Sequence, residues 1–455
     1  MSESKAFYRS ILRLSIPTAI QAVLSLLVVM ADNVMVSRLD PSGINLSAVS
    51  QSNAVTNFVN AGLMGLSAGG VVLISQYWGK RDIPRIRLVA STVLSACVGF
   101  ALVMMALVLL FPRAVLGLVI NANEAEVTAI ALQYLPIVCL QYLPLALTAW
   151  GIAMLKGVEV VRVILYATAI SLFSNVGLNY VLIFGKLGLP AMGARGAAIA
   201  TVLARLLEAG VVLTYLFMVQ KVLPLKARDL TRHSGWTWRD YARYGLPVGL
   251  TDAQWALIGM LKMVIIGQLG RQMISAAAVS DMLMNLGTLF TFALAGGAAV
   301  LVGKAVGSGQ YDLAHLYSRR IQRMFLLIGV VMAAVVYFAR LPFIGLYQLD
   351  MDTIALADRM VSICALTLLG TTYHASCFVG INRGAGDNKF VMMVDMICGW
   401  LVVLPSAYLA AFVLKLPLHW VYFVTRIDQT FKWIIAFLRL RGNKWIHNVT
   451  REQSA

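Results

Sequence analysis

Asp32 is a lone carboxylate in SLLVVMADNVMV, residues 25–36, a run otherwise suited to hydrocarbon. A charged side chain near the middle of a bilayer costs about 2.5 to 3.5 kcal/mol on insertion scales, so an acid placed there is a functional candidate by default. The plainer readings are a position at the membrane surface or a purely structural pair with a lysine. Three other polar residues have the spacing to join it. Asn175 and Asn179 are one helical turn apart and share a face, and Thr201 lies in the next apolar run. If the first span runs outward and Asp32 lies about five residues before its end, a rise of about 1.5 Å per residue puts it in the outer third of the membrane. The outward fifth and inward sixth spans bring Asn179 and Thr201 to a similar depth, with Asn175 a turn deeper. Such a group suits proton or cation binding. Screening from water makes a carboxyl easier to protonate, and amide and hydroxyl oxygens can serve either the acid's proton or a sodium ion.

The elements that would hold these residues follow from composition. Of 455 residues 60% are hydrophobic and 13% charged, and the mean hydropathy is +0.80. Soluble domains carry about 25% charged residues, so this is a polytopic membrane protein. Twelve apolar stretches long enough to span a bilayer lie near 14–37, 47–76, 88–111, 127–154, 161–184, 193–219, 242–268, 274–303, 320–340, 354–381, 389–413 and 416–438. The leading MSESKAFYRSILRLS is polar and basic, and the apolar run behind it is too long for a signal-peptide core, so the first helix acts as its own signal.

The net charge of +17 sits mostly in the tails and even-to-odd loops. By the positive-inside rule both termini are cytoplasmic, in the plasma (inner) membrane. Basic runs such as GKRDIPRIR and the 220–243 segment read as faces meeting anionic lipid, not nucleic acid. The cysteines, Cys97, Cys139, Cys364, Cys377 and Cys398, fall within spans without CxxC pairing and read as small packing residues.

The chain is also written twice. RLSIPTAIQ lies over RYGLPVGLT when the halves are offset so that Pro17 meets Pro247, and AVS at 48–50 then meets AVS at 278–280. With small drifts in register, AGGVVLISQYWG (68–79) lies over GGAAVLVGKAVG (296–307), and MLKG (154–157) over INRG (381–384). The reading is an N-terminal lobe over 1–219, a polar cytoplasmic linker over 220–241, and a C-terminal lobe with its tail over 242–455. Six helices per repeat make the repeats parallel, a transporter signature with substrate held between halves and access alternated.

The stretch SNVGLNYVLIFGKLGLPAMGARGAAIATVLAR, 174–205, resembles the end of helix 5 and start of helix 6 in the multidrug and toxic compound extrusion (MATE) transporters. IPTAIQ and ADNVMVSRLD in helix 1, GGVVLISQYWGKRD after helix 2, NRGAGDNK after helix 10 and LPSAYLAAF in helix 11 match in the expected order. The resemblance implies an all-α membrane protein of twelve transmembrane helices in two six-helix repeats, forming a V-shaped two-lobe transporter. It implies export of amphipathic, often cationic, drugs or metabolites driven by inward proton or sodium flow, without a cofactor. Asp32 matches the family's helix 1 acid, and Asn175 and Thr201 match its partners. Asn179 departs from members with a second aspartate there, which favours protons over a sodium ion held by Asp32, Asn175, Asn179 and Thr201. Pro17 either starts helix 1 or lets it bend with the charge state of Asp32.

The second repeat differs. Lys262 stands at the position of Asp32, and Asp281 lies at a similar outer depth. They form either a structural ion pair or a site where Lys262 faces the cleft and selects anionic or zwitterionic substrates. Some family members place acids in helices 7 and 10. Here helix 10 has only Asp358 at its entrance, while helix 7 offers Asp252 and Gln254. Asp395, like Asp252, is at inner depth. Arg205 and Glu208 neutralise one another, and His374, alone in mid-membrane, reads as packed or as a proton relay. Gln51, Asn53, Asn57 and Asn60 give helix 2 a polar face, for interhelical bonding or for lining the cleft. The expected partners are small-molecule substrates and lipid, with the monomer as functional unit. A lipid-linked precursor flippase of the same superfamily is the alternative, kept open by Lys262. A major-facilitator carrier shares the duplication but not the 174–205 block. A membrane enzyme would need a cluster such as HExxH or a P-loop, and His233, His315, His374, His419 and His447 are scattered.

Overall fold

The computed structural model describes residues 3–39, 44–120, 124–347 and 349–451. All regular structure among them is helical. Among the described residues eleven helices are long and apolar enough to cross a membrane. They are α1 (Glu3–Ser37), α2 (Ile44–Gly79), α3 (Ile83–Leu110), α4 (Ala125–Gly157), α5 (Arg162–Phe184), α6 (Ala194–Val219), α7 (Gly235–Gly267), α8 (Arg271–Gly307), α9 (Tyr311–Ile344), α10 (Met351–Asn382) and α11 (Asn388–Val413).

The twelfth apolar stretch is a broken segment. A short helix α12 (Leu418–Val424) and a second, α13 (Lys432–Leu440), flank a 3-10 turn at Ile427–Thr430. Polar side chains accompany the break: Arg426, Gln429 and Lys432 reach partners on neighbouring elements, and Lys432 also holds Asp428 within the segment. Helix α1 begins at Glu3, well before the apolar run. Pro17 is therefore interior to it, which overturns the reading of Pro17 as a helix start. Lacking an N–H, it leaves the carbonyl of Arg13 without its helical donor, a weak point in an otherwise continuous helix. Pro247 and Pro405 are preceded by π-helical turns at Tyr241–Gly245 and Ile397–Val403, local adjustments of the kind that re-satisfy backbone freed by proline.

The chain divides into two compact units. The first-half unit contains Pro17–Ile74 and Asp82–Gly249, and the second-half unit contains Met1–Ile16, Ser75–Arg81 and Leu250–Ala455. In the first-half unit α5 and α6 form the most extensive helix pair. Helix α5 ends on Gly185 in the left-handed region (φ 65), where a Cβ would lie 2.5 Å from the Ala191 nitrogen. The chain then turns back, with Met192 N–H donating to Leu182 O at 2.9 Å. Gly196 lets α6 run against the α5 backbone, since a Cβ there would stand 2.5 Å from Leu182 O. In a membrane, where burial of apolar surface drives little, such close backbone approach is a main source of helix association.

In the second-half unit the last residues are built into the helix ends. Gln76, fully buried, donates to Gly384 O at 3.0 Å and His447 O at 3.2 Å, and accepts from Val449 N–H at 2.8 Å. His447 N–H donates to Ala385 O, and Asn448 Nδ2 donates to Val306 O. Trp445 is fully buried with its ring edge-on to His315. The tail thus ties together the ends of α2 and α8 and the α10–α11 connection.

Candidate functional site

In the first-half unit Asn179 sits on α5 and donates through Nδ2 to the Asp32 carboxylate on α1. The same nitrogen donates to Asn175 Oδ1 at 3.2 Å, one turn below. Both asparagines are almost wholly buried, while Asp32 is partly so. Two atoms of this chain of amides have no partner among the described residues: Asn179 Oδ1 and Asn175 Nδ2. Arg205 lies within electrostatic reach of Asp32, but its guanidinium is taken by Glu208 at 2.6 Å, as the i, i+3 spacing implied. Glu208 also accepts weakly from Thr168 Oγ1 at 3.4 Å.

Of the four residues that sequence spacing placed at one depth, three are joined by hydrogen bonds. The fourth, Thr201, turns its hydroxyl back to Ala197 O of its own helix at 2.9 Å. Tyr134 on α4 was missed. It is buried, lies within electrostatic reach of Asp32, and donates to Asn53 Oδ1 on α2 at 3.2 Å. Its signal was readable in retrospect: Tyr134 and Tyr142 lie near one face of α4, opposite Asn53 and Thr56 one turn apart on α2, and Tyr142 and Thr56 hydroxyls approach to 3.5 Å. Of the remaining polar residues of α2, Gln51 is partly buried and Asn57 and Asn60 are exposed, none with a side-chain hydrogen bond among the described residues.

In the second-half unit the expected Lys262–Asp281 pair is replaced by another. Asp281 Oδ1 accepts from Arg426 at 2.7 Å and from the Tyr422 hydroxyl at 2.7 Å. Lys262 has no carboxylate within 4.0 Å among the described residues, although Asp281, Asp428, Arg426 and Lys432 all lie within its electrostatic range. The guanidinium wins because it docks from the broken twelfth segment, where the chain turns at Arg426 toward α8. Lys432 bridges Asp428 at 2.7 Å and Asp395 at 3.0 Å. Gln429 donates to Asp428 and accepts from Thr371.

The acids of helices 7 and 10 are paired locally. Asp252 takes Arg383 through both oxygens at 2.5 and 3.4 Å, and Asp358 near the start of α10 takes Arg340 at 2.8 Å. Gln254 donates at 3.4 Å to Met392 O. His374 holds Nδ1 3.0 Å from Gly370 O and rests edge-on to Phe378. All five cysteines are buried and unpaired. No group of three or more His, Cys, Asp or Glu side chains able to hold a metal ion occurs among the described residues.

Long apolar helices in two units, with one buried carboxylate–amide cluster held on helices and a second unit in which Asp252, Asp281, Asp358, Asp395 and Asp428 each meet a base, define an integral membrane protein of the transporter class. The chain belongs to the MatE family, the multidrug and toxic compound extrusion transporters, whose model matches residues 17–181 and 247–409. It is similar to the Uncharacterized transporter YisQ of Bacillus subtilis (strain 168), with 26% identity over 96% of this chain and 95% of that protein. It is similar also to the Probable multidrug resistance protein NorM of Thermotoga maritima, with 25% identity over 96% and 93% of the two chains. Among solved structures, MATE in its bent conformation shares the fold, with a TM-score of 0.85, 20% identity and coverage of 96% and 95%. Members of this family are transporters, not enzymes.

Proposed function

We propose that this protein is a proton-coupled antiporter that expels amphipathic, often cationic, compounds by alternating access, with both termini in the cytoplasm and Asp32 as the proton carrier. The observation that carries this reading is the pair of unpartnered amide atoms beside Asp32. With Asp32 charged, Asn179 presents its N–H to the carboxylate and its Oδ1 has no donor. Once Asp32 holds a proton it becomes a donor. Rotation of the Asn179 amide by half a turn then offers Oδ1 to the acid, and rotation of Asn175 lets its idle Nδ2 donate to the same oxygen. Each charge state thus has its own hydrogen-bond arrangement, and α1 and α5 are tied differently in each. Pro17, by omitting one helical bond, lets α1 answer by bending.

A sodium ion fits less well, because only one carboxylate is available to hold it. The multidrug reading of the substrates follows the names of the NorM relatives. The test is uptake or efflux in proteoliposomes with proton and sodium gradients imposed separately. A proton gradient alone should drive transport, and Asp32→Asn should abolish that drive. Sodium-driven transport in the absence of a proton gradient, or full activity of Asp32→Asn, would overturn the proposal.

A further inference from the structure

We infer that Lys262 is a tethered countercation in the second-half unit, and that a monovalent organic cation binding beside Asp281 takes its electrostatic place and expels its proton. The inference rests on the antiport reading above and adds a second, substrate-linked proton to it.

The argument is one of charge and partners. Three acids form one connected band, running from the outer depth of Asp281 on α8 through Asp428 in the turn between α12 and α13 to the deeper Asp395 on α11, which Lys432 joins to Asp428. Three bases face them: Arg426, Lys432 and Lys262, with His374 of α10 within range of Lys432, Asp395 and Asp428. With all three bases charged and His374 neutral, the sum is zero. Arg426 answers Asp281, but Lys432 is shared by two carboxylates, so one negative charge is left over. Lys262 supplies the balance from beyond 4.0 Å, through space, with no direct bond. Arg426 cannot give up its proton, and Lys432 is gripped by two acids. Lys262 is the cation of the set that is held most loosely.

The identity of the guest follows from the same count. An anion binding to charged Lys262 would leave the band with a net charge of −1 beside three carboxylates. A monovalent cation, exchanged for the lysine's proton, keeps the sum at zero. The balance is Lys262–NH3⁺ plus guest cation giving Lys262–NH2, bound cation and a released proton. A docking atom is present. Both bonds to Asp281 fall on Oδ1, Oδ2 has no partner among the described residues, and the side chain is 33% exposed.

The test uses the full-length purified protein carrying Asp32→Asn, which silences the first-half carboxylate, and tetraphenylphosphonium as probe. Calorimetry in buffers of different ionisation enthalpy should show about one proton released per cation bound, and affinity rising about tenfold per pH unit while Lys262 is the charged form. Lys262→Arg keeps the band neutral with a charge that cannot leave, so it should fold and bind the probe at least tenfold more weakly without releasing a proton. Lys262→Gln should bind with neither proton release nor pH dependence. Undiminished binding by Lys262→Arg, unchanged proton release by Lys262→Gln, or no probe binding to the parent would overturn the inference. Gradient-driven transport by the Asp32→Asn protein bears on the antiport reading alone, so the two failures are distinguishable.

Discussion

Replacing Asn179 with leucine, a residue of similar size, removes the donor to Asp32 while leaving α5 packed. A hydrogen bond to a charged group contributes about 1.5 to 3 kcal/mol, and each pH unit corresponds to about 1.36 kcal/mol. Asn179 gives this stronger bond to the charged carboxylate and, once rotated, only a neutral bond of about 0.5 to 1.5 kcal/mol to the protonated acid, so its loss disfavours the charged form by the difference. The pH profile of proton-driven transport should therefore move toward alkaline pH by about one unit. The assay is the initial rate of dye efflux from proteoliposomes at a fixed gradient, across a series of absolute pH values. Asn175→Leu touches Asp32 only through Asn179, and should move the profile in the same direction by less. A profile that stays in place for Asn179→Leu, or moves toward acid, would refute the idea that Asn179 reads the charge of Asp32.

Two further outcomes concern the second-half unit. Lys432→Met strands Asp395 and Asp428 without their shared cation and should cost about 3 to 5 kcal/mol, read as a fall in the thermal unfolding midpoint. Adding Asp428→Asn to that variant should recover part of the loss, and additive losses would argue against the pairing. Trp445→Ala empties a fully buried site beside His315, with an expected cost of about 3 to 5 kcal/mol. The same change should speed proteolysis of the tail, which unaltered cleavage would contradict.

Much of this protein was legible in one dimension because a bilayer imposes simple rules. A span must be long and apolar, so most of the helices could be marked from hydropathy, and a duplicated chain repeats its landmarks, so Pro17 and Pro247 could be laid over each other. The i, i+4 spacing of Asn175 and Asn179 placed them on one face, because helix geometry is local. Arg205 and Glu208 were paired for the same reason. What sequence could not convey was the choice among partners far apart in the chain. Asp281 had Lys262 as the nearest expected cation, yet Arg426 of the twelfth segment takes it, because that segment breaks and turns its charges inward. Averaged hydropathy over 416–438 hid the break, since the flanking aromatic and aliphatic residues outweigh Arg426, Asp428 and Lys432. The buried tail residue Trp445 escaped likewise, since nothing local marks a tail that closes around Gln76, while Tyr134 needed the pairing of its face of α4 with that of Asn53 on α2. Local periodicity and the cost of charge in hydrocarbon are properties of the chain itself. Which buried charges neutralise one another, and which is left with no direct partner, depends on distances that only the packed helices set.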